Sequence, residues 1–152
     1  MNDYNLQLEN SLSQNDKNWW QEFFKENIIN WEVSIEEEYK GIDAYLNDKK
    51  VQFKIRETYY PDILIEFGHT NGEKGWINKI QECEYIIFGW KPHNEIYIFK
   101  WDVLQEFWKK NQVILFKKYG YKNVKCAVNL NKITLNYSIP FNSLPAHNTK
   151  TK

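Results

Sequence analysis

Residues 85–90 read YIIFGW, an apolar run too short to cross a bilayer and too continuous for a strand with one wet face. It reads as a strand buried on both sides, and EIYIFK, after the turn KPHN, is its hairpin partner. A central strand of this kind must be covered above and below. Helices are therefore needed on the faces of a sheet, and the other segments supply candidates. Asp16 can cap a helix through KNWWQEFFKENI, where Trp20, Phe23, Phe24 and Ile28 recur at roughly helical spacing. WINKIQEC is expected to form a second helix and WDVLQEFWKKN a third, with Asp102 near its start and Lys109 and Lys110 near its end.

The remaining segments read as strands and loops. WEVSIEE alternates Trp31, Val33 and Ile35 with polar neighbours, so it is expected as a half-buried strand ending in the run Glu36, Glu37, Glu38, which is either solvated or supplies one carboxylate to a metal. DAYL and VQFKIRE flank NDKK, a polar hairpin turn, and YYPDILIEFG is a strand beginning after Pro61. GHTNGEKG reads as a mobile loop, residues 112–144 as short strands and loops, and Pro140 and Pro145 interrupt the tail. The expected fold is α/β, a mixed central sheet flanked by helices. One domain is expected over residues 16–145, with a basic part at 101–145, between a flexible leader at 1–15 and a flexible tail at 146–152.

Composition narrows the function classes. No stretch of about 18 apolar residues exists, and the first residues have neither a basic start nor an apolar core, so a cytoplasmic chain with no membrane partner is expected. Cys83 and Cys126 give no disulfide framework, and His69, His93 and His147 are scattered, which argues against zinc and Cys/His catalysis. No glycine-rich phosphate loop or nucleophile elbow occurs. The zero net charge conceals an asymmetry: residues 101–152 hold nine Lys against Asp102 and Glu106, a net +7, so the first hundred carry −7. The basic half is either a surface for a polyanion or a solvated face.

The chemistry lies in GIDAYLNDKKVQFKIR, residues 41–56. Along a strand Gln52, Lys54 and Arg56 project to one side and Val51, Phe53 and Ile55 to the other. Folding DAYL back on VQFKIRE brings Asp43 near Gln52 and Lys54. A carboxylate and an amide oxygen are hard ligands suited to Mg²⁺ or Mn²⁺, and a neighbouring ammonium can orient water and stabilise charge on a phosphate.

This arrangement resembles the PD-(D/E)XK nuclease superfamily, in its Mrr-like variant where Gln replaces the second acid. The match is Gly41, Ile42 and Asp43 followed by Val51, Gln52, Phe53 and Lys54, and the chain is also similar to phage and prophage members in Arg56, DILIEF, KGWINK and CEYIIFGW. The resemblance covers roughly residues 17–110 and implies a restriction-endonuclease-like core. It also implies a metal-dependent DNA endonuclease of restriction, homing or phage type, with Asp43 and Gln52 as metal ligands and Lys54 as the water-orienting catalytic group. An additional acid from the first helix would be Glu22, ahead of Glu26. Gln52 departs from the acidic pattern, and a neutral ligand weakens metal binding. The alternative is therefore a catalytically inactive relative that binds nucleic acid or protein, such as a phage counter-defence factor.

Arg56, Lys109, Lys110, Lys117, Lys118, Lys122 and Lys125 are the candidate DNA phosphate contacts, with Arg56 equally expected to pair with Glu57 or Glu66. Cutting both strands of a duplex needs two sites, so a homodimer or higher homo-oligomer is expected. Trp19, Trp20, Trp31, Trp76 and Trp108 are expected in packing rather than as base-stacking platforms, and Asp62 and Glu66 as polar residues of an edge strand.

Overall fold

A computed structural model describes residues 12–120, 122–125 and 133–152. In chain order the elements are α1 (Gln14–Phe23), β1 (Ile29–Asn30), α2 (Ile35–Tyr39), β2 (Ala44–Leu46), β3 (Lys49–Arg56), β4 (Asp62–His69), β5 (Tyr85–Trp90), β6 (Glu95–Lys100), α3 (Trp101–Tyr119), β7 (Lys122–Lys125), β8 (Ile133–Pro140) and β9 (Asn148–Thr151). The fold is α/β. The chain divides into two compact units. The first comprises the chain up to Tyr59 together with Gln81–Trp101 and His147–Lys152; the second comprises Tyr60–Ile80 and Asp102–Ala146.

The first unit contains a six-stranded sheet in the order β1-β2-β3-β5-β6-β9. Only β3 and β5 pair in parallel; every other neighbour is antiparallel, so the sheet is mixed. As expected, β5 lies inside the sheet, and Ile86 through Trp90 are all buried. The β2–β3 hairpin turns on Asn47 and Asp48, both with positive φ (48° and 67°), between the pair Leu46–Lys49. Two left-handed residues give the twist that a two-residue hairpin loop requires, and Asn and Asp tolerate it. Val51, Phe53 and Ile87 face α1, whose Trp20 stacks on Phe53 with ring centroids 4.3 Å apart. Gly89 gives the helix room, because a Cβ there would lie 2.7 Å from the Trp20 ring and 2.8 Å from that of Trp19.

Several expectations are corrected. The first helix is capped by Ser13, whose hydroxyl accepts the Asp16 N–H at 3.1 Å, so Asp16 stands in the first turn instead of capping it. WEVSIEE is not a strand: Ser34 and Glu37 form a reciprocal capping box, and Ile35–Tyr39 is helical. The tail expected to be loose from residue 146 adds β9 to the edge of β6. Residues 1–11 of the expected leader, and Cys126, lie outside the described residues.

The second unit has its own three-stranded antiparallel sheet, β4-β8-β7, and the helix α3. The strand after Pro61 is thus β4, but of a separate sheet. The helix expected over WINKIQEC is only a 3₁₀ turn at Trp76–Asn78. Its carbonyls are met from outside: the Gln105 amide donates to Ile77 O and Lys79 O, and Asn78 accepts the Trp108 indole N–H. The third helix runs to Tyr119 instead of stopping near Asn111. Asn111 turns its amide back onto Phe107 O, and the left-handed Gly120 (φ +69°) ends the helix.

Candidate metal centre

The three residues of GID have separate structural roles. Gly41, at φ +82°, ends α2 in a conformation that favours glycine, and a Cβ there would lie 2.0 Å from Gln81 Oε1. Ile42 is fully buried and pins the turn. Asp43 then enters the hairpin, its N–H donating to Val51 O at 2.8 Å while its Oδ2 accepts the Phe53 N–H at 2.7 Å. Ala44, paired with Val51, begins the ladder, and Asp43 stands just before it.

Gln52 is 8% exposed, and its Oε1 has no hydrogen-bond partner. Among the described residues the indole N–H groups of Trp20 and Trp31 and Glu95 Oε1 are also unpartnered. What distinguishes Gln52 is an acceptor oxygen on the strand whose Phe53 N–H holds the half-buried Asp43 carboxylate. Lys54 follows on the same side of β3, half-buried. Of the three residues named from the sequence, Lys54 acts on Asp43 through its charge, and Gln52 shares its side of β3 with Lys54.

Burial dominates the electrostatics there. It pushes the Asp43 carboxyl up from the ordinary 3.8 to about 6, against the opposing pull of the Phe53 N–H and the Lys54 charge. Glu38 raises it further and Lys17 lowers it. Glu38 is itself held above the ordinary glutamate range by burial, with Lys17 opposing. The acidic run on α2 thus separates by role. Glu36 pairs with Lys40 at 3.2 Å, Glu37 closes the capping box and accepts the Tyr45 hydroxyl, and Glu38 acts on Asp43.

Glu22, the expected additional acid, is exposed on α1, as is Glu26 beyond its end. The carboxylate that reaches Asp43 electrostatically is instead Glu38, one of the run expected either to be solvated or to supply one metal contact. The S-x-x-E spacing of Ser34 and Glu37 is the signal that identifies the helix presenting it.

Asp43, Gln52 and Glu38 each carry oxygen donors of the hard type that a small divalent cation takes. The unpartnered, buried Gln52 oxygen fits such a guest, since leaving it unsatisfied costs about 1–3 kcal/mol. Among the described residues there is no group of three or more His, Cys, Asp or Glu side chains placed to hold a metal. The site is therefore lean in carboxylates.

Of the candidate phosphate contacts, Arg56 is half-buried on the strand that carries Gln52 and Lys54, while Lys109, Lys110, Lys117 and Lys118 are exposed on α3. The side chains of Lys122 and Lys125 lie outside the described residues. Glu57 pairs with Lys91 at 2.8 Å, Glu66 with His69 at 3.2 Å, and Asp62 accepts the Ser138 hydroxyl at 2.6 Å, so all three carboxylates have structural partners. Trp20, Trp76 and Trp108 are buried.

The fold and this corner define an α/β chain with a polar site on a hairpin. No family model matches it, and no curated protein or solved structure does either. No described helix is long and apolar enough to cross a membrane.

Proposed function

We propose that the Asp43–Gln52–Lys54 corner belongs to a Mg²⁺- or Mn²⁺-dependent DNA endonuclease. The observation that carries this reading is the buried, unpartnered Gln52 Oε1, next in sequence to Phe53, whose N–H the Asp43 carboxylate accepts. Asp43 and Gln52 would hold the cation, with Glu38 adding negative charge nearby. When bound, the cation would supply an activated water and neutralise charge on the phosphate.

The chain's own groups have definite tasks in such a reaction. Phosphodiester hydrolysis forms a bond from water oxygen to phosphorus and breaks the bond to the leaving sugar oxygen; water loses a proton and the leaving oxygen gains one. The Lys54 ammonium, with three donors, orients the water and offsets the charge growing on the phosphate oxygens. The Phe53 N–H fixes one Asp43 oxygen and leaves the other for the cation. Asp43 must be ionised for this role, so proton and cation compete for it, and uptake at limiting metal should fall as pH drops below about 6.

Two subunits would serve the two strands of a duplex, and we propose a homodimer or higher homo-oligomer on that ground. The test is plasmid cleavage with Mg²⁺ or Mn²⁺, beside Asp43→Ala and Lys54→Ala. Cleavage that survives both substitutions refutes the reading.

One observation favours the non-catalytic alternative, a module binding DNA or protein: the described residues hold no three-carboxylate cluster. Calorimetry separates the two readings. Uptake of Mg²⁺ or Mn²⁺ that is lost in Asp43→Ala supports the enzyme, whereas DNA binding without metal uptake supports the module.

A further inference from the structure

The C-terminal half of α3 has a surface that packing in its own unit does not explain. Eight of the ten residues from Lys109 to Lys118 are exposed; only Leu115 is buried and Asn111 half-buried. Val113 and Ile114 are each 63% exposed, in the middle of this stretch. Lys110, Val113, Ile114 and Lys117 follow one another at i, i+3, i+4 and i+7, so they share one face, with Lys109 and Lys118 at its flanks. The second unit is the basic one, with nine lysines against five carboxylates, a net +4, whereas the first carries −4.

From this face we infer that the outward side of α3 reads the major groove of duplex DNA, an inference that rests on the proposed action on DNA and names its substrate class. The shape argument comes first. Two aliphatic side chains on the crown of one helix form a ridge, and a ridge needs a concave partner. The major groove, about 12 Å wide, admits an α-helix, and ten helical residues span about 15 Å along it.

Charge selects the same occupant. Four lysines, with only Glu106 paired to Lys110 at 2.9 Å beside them, would bring like charges together if a second copy docked face to face. An acidic peptide would require a groove that a helix crown does not offer. In a major groove the lysines lie toward the two phosphate backbones, while Val113 and Ile114 meet the C5-methyl groups of thymine, the apolar feature of that groove.

The test is binding without catalysis, measured by fluorescence anisotropy in EDTA. The probes are an alternating A·T duplex, the same duplex with deoxyuridine for thymidine, and a single strand of equal length. The wild type should bind the thymine duplex several-fold tighter than either of the others. Replacing Lys109, Lys110, Lys117 and Lys118 by Ala should weaken duplex binding at least about tenfold near 0.1 M salt and flatten the salt dependence by about 3 to 4 in log–log slope. Val113→Ser with Ile114→Ser should keep the general affinity and lose the preference for thymine over uracil. All six positions are exposed, and unchanged circular dichroism and urea midpoints would confirm the fold.

Tighter binding to the single strand, no thymine preference in the wild type, or duplex affinity unmoved by the lysine substitutions overturns the inference. Dissociation of a dimer by the Val113/Ile114 pair, seen in sedimentation, overturns it in favour of a second copy. Failure here is distinguishable from failure of the nuclease reading. Binding of this kind without Mg²⁺-dependent cleavage refutes only the enzyme; cleavage with binding indifferent to α3 refutes only the groove-reading helix.

Discussion

Replacing Asp43 by Asn should make the protein more stable at neutral pH. In the folded protein the carboxyl is pushed up to about 6 from 3.8, and that value already includes the favourable influences of the Phe53 N–H and Lys54. Between those two values the folded state keeps a proton that the unfolded state releases. This group's contribution to stability is therefore greatest below pH 3.8 and falls as pH rises through 4 to 6, reaching a constant penalty above. A shift of about two units corresponds to a penalty of about 3 kcal/mol near pH 7.5 and about 1 kcal/mol near pH 4.5. Asn has nearly the same shape, keeps an oxygen for the Phe53 N–H and never ionises.

Urea unfolding of wild type and Asp43→Asn at both pH values measures the difference. The variant should gain up to about 3 kcal/mol near pH 7.5, and the gap should shrink by about 2 kcal/mol near pH 4.5. Mg²⁺ at about ten times its dissociation constant should add about 1.4 kcal/mol to the wild type and nothing to the variant. A loss of stability near pH 7.5 on making Asp43→Asn would refute the reasoning. Asp43 would then be an ion-paired structural carboxylate whose charge stabilises the fold.

Three other substitutions probe the surroundings. Gln52→Leu removes a buried oxygen without a partner and should raise stability by about 1 kcal/mol while abolishing metal uptake, read by urea midpoint and calorimetry. Lys54→Ala takes away one of the influences that hold Asp43 down, so the Asp43 titration followed by NMR should move above 6, and cleavage should fall at least about a hundredfold. Gly89→Ala puts a Cβ 2.7 Å from the Trp20 ring, inside a closed aromatic cluster, and should cost about 1–3 kcal/mol in thermal or urea unfolding with metal affinity unchanged.

The parts of this structure legible in the sequence are those where a single local rule acts without competition. The run YIIFGW has no polar position for a wet face, so β5 is internal; Asn47 and Asp48 tolerate the left-handed turn that closes β2 on β3. Elements governed by distant partners were not legible. The four residues of β9, NTKT, are all exposed and have no apolar alternation, so only backbone hydrogen bonds to β6 make them a strand. WINKIQEC has helical spacing, yet the Gln105 amide satisfies two of its carbonyls from α3 and the helix does not form. At Ser34–Glu37 two local rules conflicted, and the capping box prevailed over the alternation of Trp31, Val33 and Ile35.

The candidate site divides in the same way. Asp43, Gln52 and Lys54 lie within twelve residues on one hairpin, where period 2 and a tight turn determine which side chains meet. Lys17 and Glu38 reach the corner from two helices, and no spacing rule links them to a strand. Both groups nevertheless share one physical property. Natural sequences tend to agree with themselves at every level except where function requires otherwise. Gln52 is a polar residue in a buried strand position with an unmet oxygen, and Asp43 and Glu38 are carboxyls whose burial opposes their charge. Each is individually unfavourable, and a divalent cation held by Asp43 and Gln52, as proposed, would relieve those two and offset the charge of Glu38. On that proposal the corner has one cause in place of three unrelated defects in packing.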